Sequence, residues 1–85
     1  MPSEILYQKE LEELKKFNND LRWFQDNYQN LKRQFKGEYV AVKESRVVDH
    51  DMDYHLLLKR LRNTYPDINN LVVEFINEQK KIFVL

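Results

Sequence analysis

The sequence predicts an α+β fold, a two-layer sandwich with a mainly antiparallel sheet and helices on one face. Three observations carry this. Apolar residues run at helical spacing from Leu14 to Phe35 and stop just before Gly37, the only glycine. The period then changes to two over Tyr39–Val42. A second helical spacing, Tyr54, Leu57, Leu58, Leu61 and Tyr65, ends at Pro66. Periodicities of 3.6 and 2 are the primary local signals, and a two-layer packing is the natural way to bury both kinds of element.

Pro2, Ser3 and Glu4 open the first helix: serine caps, and a carboxylate sits well in the first turn. Its stripe is Leu14, Phe17, Leu21, Phe24, Tyr28, Leu31 and Phe35, a 3-4 alternation like that of a coiled coil. Asn18, Asn19 and Asp20 compete with the helical backbone, so the segment is one helix or a pair meeting there. An unbroken helix would span roughly 50 Å, more than so small a domain covers. Gly37 supplies the left-handed C′ residue, and Lys32, Arg33 and Lys36 complement the C-terminal dipole.

Tyr39–Val42 reads as the first strand, Glu44-Ser45 as a tight turn without the usual Asn-Gly or Asp-Gly, and Arg46–Asp49 as the returning strand. Helix 54–65 follows. Leu71, Val73 and Phe75 define a third strand, and residues 81–85 (KIFVL) a fourth, after a polar turn. The expected strand order is 2-1-3-4. Residues 1–19 read as a helical extension and 20–85 as the domain.

At 85 residues this is a single domain. It has no cysteine, hence no disulfide framework and no thiolate zinc site. No apolar run approaches a membrane span or a signal peptide, so the expectation is a soluble, cytoplasmic protein. Net charge is zero, and balanced along the chain: nine acids and nine bases up to His50, five and five after it. Duplex-DNA binders usually carry a basic excess, so nucleic-acid binding is expected to be weak or indirect.

The stretch from Asp49 to His55 is the most chemical. Asp49, Asp51 and Asp53 match the start of a calcium loop. That loop needs glycine at its sixth position and glutamate at its twelfth, where this chain has Tyr54 and Arg60. His50 and His55 stand five apart, not at the four-residue spacing of ligands on one helix face. The reading that explains more is a helix cap, with Asp51 or Asp53 accepting the free N–H groups at the start of helix 54–65. No catalytic residue, metal or cofactor is expected: Ser3, Ser45 and Thr64 have no base beside them, and no glycine-rich loop is present.

Trp23 lies off the buried stripe, next to Phe24. It either covers the sheet edge or anchors a partner. Tyr7, Leu11 and Leu14 on the N-terminal helix, and Ile82, Phe83, Val84 and Leu85 at the apolar C-terminus, complete the candidate interface. An apolar edge strand calls for a cover, either a second copy or a larger partner.

Over residues 20–76 the chain resembles a family of short archaeal and bacterial domains of unknown function. The resemblance rests on Trp23-Phe24, Tyr28, Leu31, Phe35 and Gly37, the Tyr39–Val42 strand, Val47–His50, and Asp53 before an amphipathic helix. The chain departs from the pattern at Glu44-Ser45, where Asp-Gly is frequent, and at Asp51, where glycine is common. The resemblance implies the same fold and supplies no reaction or ligand. The leading expectation is a non-enzymatic protein-interaction module, an accessory subunit of a larger intracellular complex. A second is an accessory protein of nucleic-acid transactions, such as a small subunit of an archaeal replication or repair assembly. A third is a small metal-binding or enzymatic domain using Asp49–His55.

Overall fold

The computed structural model describes the backbone of residues 2–77 and the side chains of residues 10–77. Its elements are helix α1 (Pro2–Asp26), helix α2 (Tyr28–Phe35), strands β1 (Tyr39–Val42) and β2 (Val47–Asp51), helix α3 (Tyr54–Thr64), a 3-10 turn (Ile68–Asn70) and strand β3 (Val72–Phe75). The expected fourth strand at 81–85 lies outside the described residues.

Helix α1 runs through Asn18, Asn19 and Asp20 without a break. The interruption comes at Asn27 instead. Its backbone N–H and its Nδ2 both donate to the Trp23 carbonyl, at 3.0 and 2.9 Å, and close the last turn of α1. Its own carbonyl accepts from the Leu31 N–H at 2.9 Å and starts α2. The side chain of Asn27 thus adds a second, local bond to the carbonyl that its backbone N–H already uses, a habit of asparagine at helix ends. Gly37, at φ 80°, ends α2 in the left-handed region. Its N–H donates to the Ile76 carbonyl, and Ile76 returns its N–H to Glu38, which continues the β1–β3 pairing.

The sheet is antiparallel in the order β2-β1-β3. Tyr39 pairs with Asp51 and Phe75, Ala41 with Asp49 and Val73, and Val42 with Val47 and Val72. The register slips by one residue between Ala41 and Val42, which leaves Val48 as the extra residue of a bulge. The chain must cross over β1 to get from β2 to β3, and α3 is that crossover.

The α+β class and the first three strands stand as expected, whereas the helices divide between the two faces. Val40, Val42 and Val72 face Phe24 and Leu31 of α1 and α2. Ala41 and Leu71 face Leu57 and Leu61 of α3. Alternation along a central strand presents one set of side chains to each face. Because β1 is apolar at every position from Val40 to Val42, both faces need cover, and Val40, Ala41 and Val42 are fully buried. Each large apolar side chain buried in this way contributes about 1.5–3 kcal/mol.

The apolar stripe of the N-terminal segment is core from Phe17 onward. Leu11 and Leu14, further toward the N-terminus, are exposed. The radius of gyration, 14.7 Å, exceeds the about 12 Å expected of a compact chain of this length, as an overhanging helix requires.

Candidate functional site

The aspartate-rich stretch folds around Arg60. In β2, Asp49 and Asp51 share the face toward α3, and Arg60 reaches back from α3 to both. Its Nε and Nη2 donate to the two carboxylate oxygens of Asp49, each at 3.0 Å, and its Nη1 donates to Asp51 Oδ2 at 2.8 Å. Nη2 also donates to the His50 carbonyl at 3.0 Å. The residue at the twelfth position of the calcium-loop pattern thus supplies the positive charge itself. Fork geometry suits guanidinium to carboxylates in this way.

The remaining acceptors are used locally. Asp51 Oδ1 accepts the Asp53 N–H at 2.8 Å. Asp53 is the N-cap of α3, its Oδ1 accepting the Leu56 N–H at 3.1 Å. The His50 N–H donates to Asp49 Oδ1 at 2.7 Å. Both backbone groups of His50 therefore end on side chains. Since β2 is an edge strand, the clamp masks groups that would otherwise pair with another chain.

The two histidines do not converge. His50 Nδ1 lies 2.7 Å from Glu38 Oε1, and its ring packs on Phe35 on the α2 side of the sheet. His55 is exposed on α3 beside Tyr54. Among the described residues no three His, Asp or Glu are grouped to hold a metal ion. The Arg60 guanidinium, through its hydrogen bonds, holds the Asp49 carboxyl below its ordinary 3.8. Asp51 is lowered first by the Asp53 N–H and then by Arg60. The two carboxylates in turn push Arg60 upward.

Asp20 forms a second constellation. Glu44 and Ser45 both have positive φ, 54° and 57°, and the Lys43 N–H donates to the Arg46 carbonyl at 3.0 Å. Such a two-residue hairpin turn normally calls for Asn-Gly. Here the Asp20 carboxylate accepts the Glu44 N–H at 3.2 Å and the Ser45 N–H at 2.9 Å. Successive N–H groups in a turn form an anion-binding concavity, and Asp20, the one buried charged residue among those described, fills it. No sequence signal marked Asp20 for this role, because its partners lie 24 and 25 residues away.

Trp23 is half-buried against the α1/α2 cluster. It lines an open cleft of about 640 Å³ between α2 and the start of β2, together with Phe35, Val47, Arg33 and Arg46. Leu11 and Leu14 stand elsewhere, about 18 Å from Trp23 along the α1 axis for the Leu11 case. Tyr7 lies on α1 with its side chain outside the described residues, and Ile82, Phe83, Val84 and Leu85 lie outside them altogether. The candidate interface residues that are described therefore form two separate surfaces. Sequence reading passed over a third exposed group, in which Tyr39 packs on Tyr54 and Phe75 at 5.1 and 4.9 Å.

A family of unknown function, DUF5678, matches residues 30–79. The chain belongs to that family. The DUF5678 segment takes in most of α2, all three strands and α3, and with them the whole Arg60 clamp. Leu11, Leu14, Asp20 and Trp23 precede it, so helix α1 packs on the DUF5678 unit from outside the matched residues. No curated protein and no solved structure matches the chain. Among the described residues no helix is long and apolar enough to cross a membrane.

Proposed function

We propose that the protein is a non-enzymatic docking module, an accessory subunit of a larger cytoplasmic assembly, and that it docks through the outer flank of α1. The observation behind this reading is the pair Leu11 and Leu14, 38% and 55% exposed, which extends the apolar stripe beyond the sheet that buries its other members. Single exposed leucines are ordinary on a protein surface. These two continue a helical stripe toward the N-terminus of α1, and neither belongs to either core cluster. An amphipathic helix of this kind seats its apolar residues in a groove of a partner. The carboxylates that could serve hydrolytic or metal chemistry are engaged by Arg60 and by the helix cap, which favours docking over catalysis.

A photo-crosslinking residue, p-benzoylphenylalanine, placed at position 14 in the native cell tests this. Position 12 is the control, because residues two apart on a helix point about 200° apart. A discrete adduct from position 14 alone is expected. No adduct, or the same adducts from both positions, overturns the reading.

A further inference from the structure

The cleft beside Trp23 carries a different kind of chemistry from the α1 flank. Its apolar lining is Trp23, Leu31, Phe35 and Val47, beside the amides of Asn27, Asn30 and Gln34. Its charged lining residues are Arg33 and Arg46, and no carboxylate lines it. A shallow depression on the adjoining face of α2 adds Lys32 and Lys36, again with no acid. The chain as a whole is neutral, so four cations on one stretch of surface amount to a local segregation of charge. Among the described residues none of the four is in an ion pair, in contrast to Arg60, which is saturated by carboxylates.

From this complementarity we infer that the cleft is a docking site for an acidic, leucine-bearing peptide segment of a protein partner. Carboxylates of the segment meet Arg33 and Arg46, whose forks suit them, and an aliphatic side chain enters between Trp23 and Val47. A small metabolite is disfavoured because the cleft is open, while ligand pockets enclose most of the ligand. A single-stranded nucleic acid is disfavoured by Trp23 itself. Its ring is partly buried against the core cluster, which leaves less of its face for a stacked base than a free platform offers. This site is independent of the α1 flank and stands or falls separately from it.

Trp23 is the only tryptophan of the chain, so its fluorescence reports on the cleft directly. The full chain is titrated at low salt with a capped octapeptide, EELEELEE, with its neutral counterpart QQLQQLQQ, and with a twelve-residue oligothymidylate. A saturable change with the acidic peptide is expected, weakened about tenfold or more in Arg33→Gln/Arg46→Gln and by raised salt. Both positions are exposed, so the double variant keeps its fold, and circular dichroism checks that. The inference is overturned if the acidic peptide gives no saturable change, if the neutral peptide binds equally, or if the double variant binds like the parent. Tighter binding of the oligothymidylate than of the peptide also overturns it, in favour of nucleic acid.

Discussion

Asp20 Oδ1 lies 2.9 Å from the backbone nitrogen of Ser45, and this one bond ties helix α1 to the tip of the β1–β2 hairpin. With the companion bond from Glu44 it satisfies two turn N–H groups that face away from the sheet. Removing the carboxylate in Asp20→Ala leaves both donors without their protein partner on the partly buried side of an exposed turn. The expected cost is about 1–2 kcal/mol, a drop of roughly 5–10 °C in Tm for a domain of this size. Asp20→Asn retains one acceptor and should fall between. Urea unfolding measures both, and an Asp20→Ala variant as stable as the parent would contradict the role given to this residue.

Ser45 is held at φ 57°, where a side chain is strained and glycine is not. Ser45→Gly is therefore expected to stabilise the protein by up to about 1 kcal/mol, net of the entropy that glycine adds to the unfolded chain. In the Asp20→Ala background the same change should recover part of the loss. A Ser45→Gly variant with a lower Tm would show that the turn is not strained at this position.

Asp53→Ala removes the N-cap of α3, leaving the Leu56 N–H to solvent. A loss of about 1 kcal/mol is expected, with Asp53→Ser close to the parent. Leu57→Ala, one turn further along the buried face, should cost about 2–5 kcal/mol. Equal effects of the two alanine changes would mean that α3 is held by its end rather than by its packing.

Arg60→Ala opens the edge of β2 at His50. Exposed ion pairs contribute little to stability, so the expected change in Tm is small. The informative readouts are local. Exchange of the His50 amide should accelerate roughly tenfold, and self-association at high concentration should rise, because an unmasked edge strand pairs with its neighbours. Unchanged exchange and an unchanged oligomeric state would remove the masking role.

Acid should act through the same clamp. Asp49 and Asp51 have lowered folded-state pKa values, so their contribution is present above the ordinary 3.8 and is lost as pH falls through the lower folded values. Arg60 is shifted upward, which keeps it charged throughout this range. The decline in stability below about pH 4 is thus expected to be somewhat shallower in Arg60→Ala than in the parent, because its aspartates lose the part of the lowering that Arg60 supplies and keep the part due to the His50 and Asp53 N–H groups. Carboxyl chemical shifts across an acid titration test this at each aspartate. Parallel acid profiles for the two proteins would exclude the clamp as the source.

Several features were legible in the sequence because their causes are local. Gly37 ends α2 since only a residue free of a Cβ enters that region easily, and Pro66 stops α3 for an equally local reason. The capping of α3 from the Asp51–Asp53 stretch follows from spacing alone, although the choice of Asp53 as the cap and of Asp51 as its support needed the backbone path. The sequence left open whether the helix breaks at Asn18 to Asp20, and the fold keeps it whole there. The helix there is held by Phe17, Leu21 and Phe24 on the core, and the polar residue nearest that core found its partner on the hairpin. Arg60 stood in the sequence as the residue that disqualified a calcium loop. Its position two turns along α3, over β2, turned it into the partner of the same aspartates.

By itself the sequence determined the helical segments, though not the junction at Asn27, and with them the first hairpin, the α+β class and the position of β1 between β2 and β3. Each of these follows from period, punctuation and the short range of backbone hydrogen bonding. Only the tertiary structure decided which face each helix covers, since an apolar run in β1 demands cover on both sides without naming the helix for either. It alone brought Arg60 to Asp49 and Asp51, Asp20 to the hairpin tip, and Trp23 to Arg33 and Arg46. Charge and hydrogen-bond complementarity act over a few ångströms of space, and the order of residues along the chain does not encode that distance until the sheet is folded.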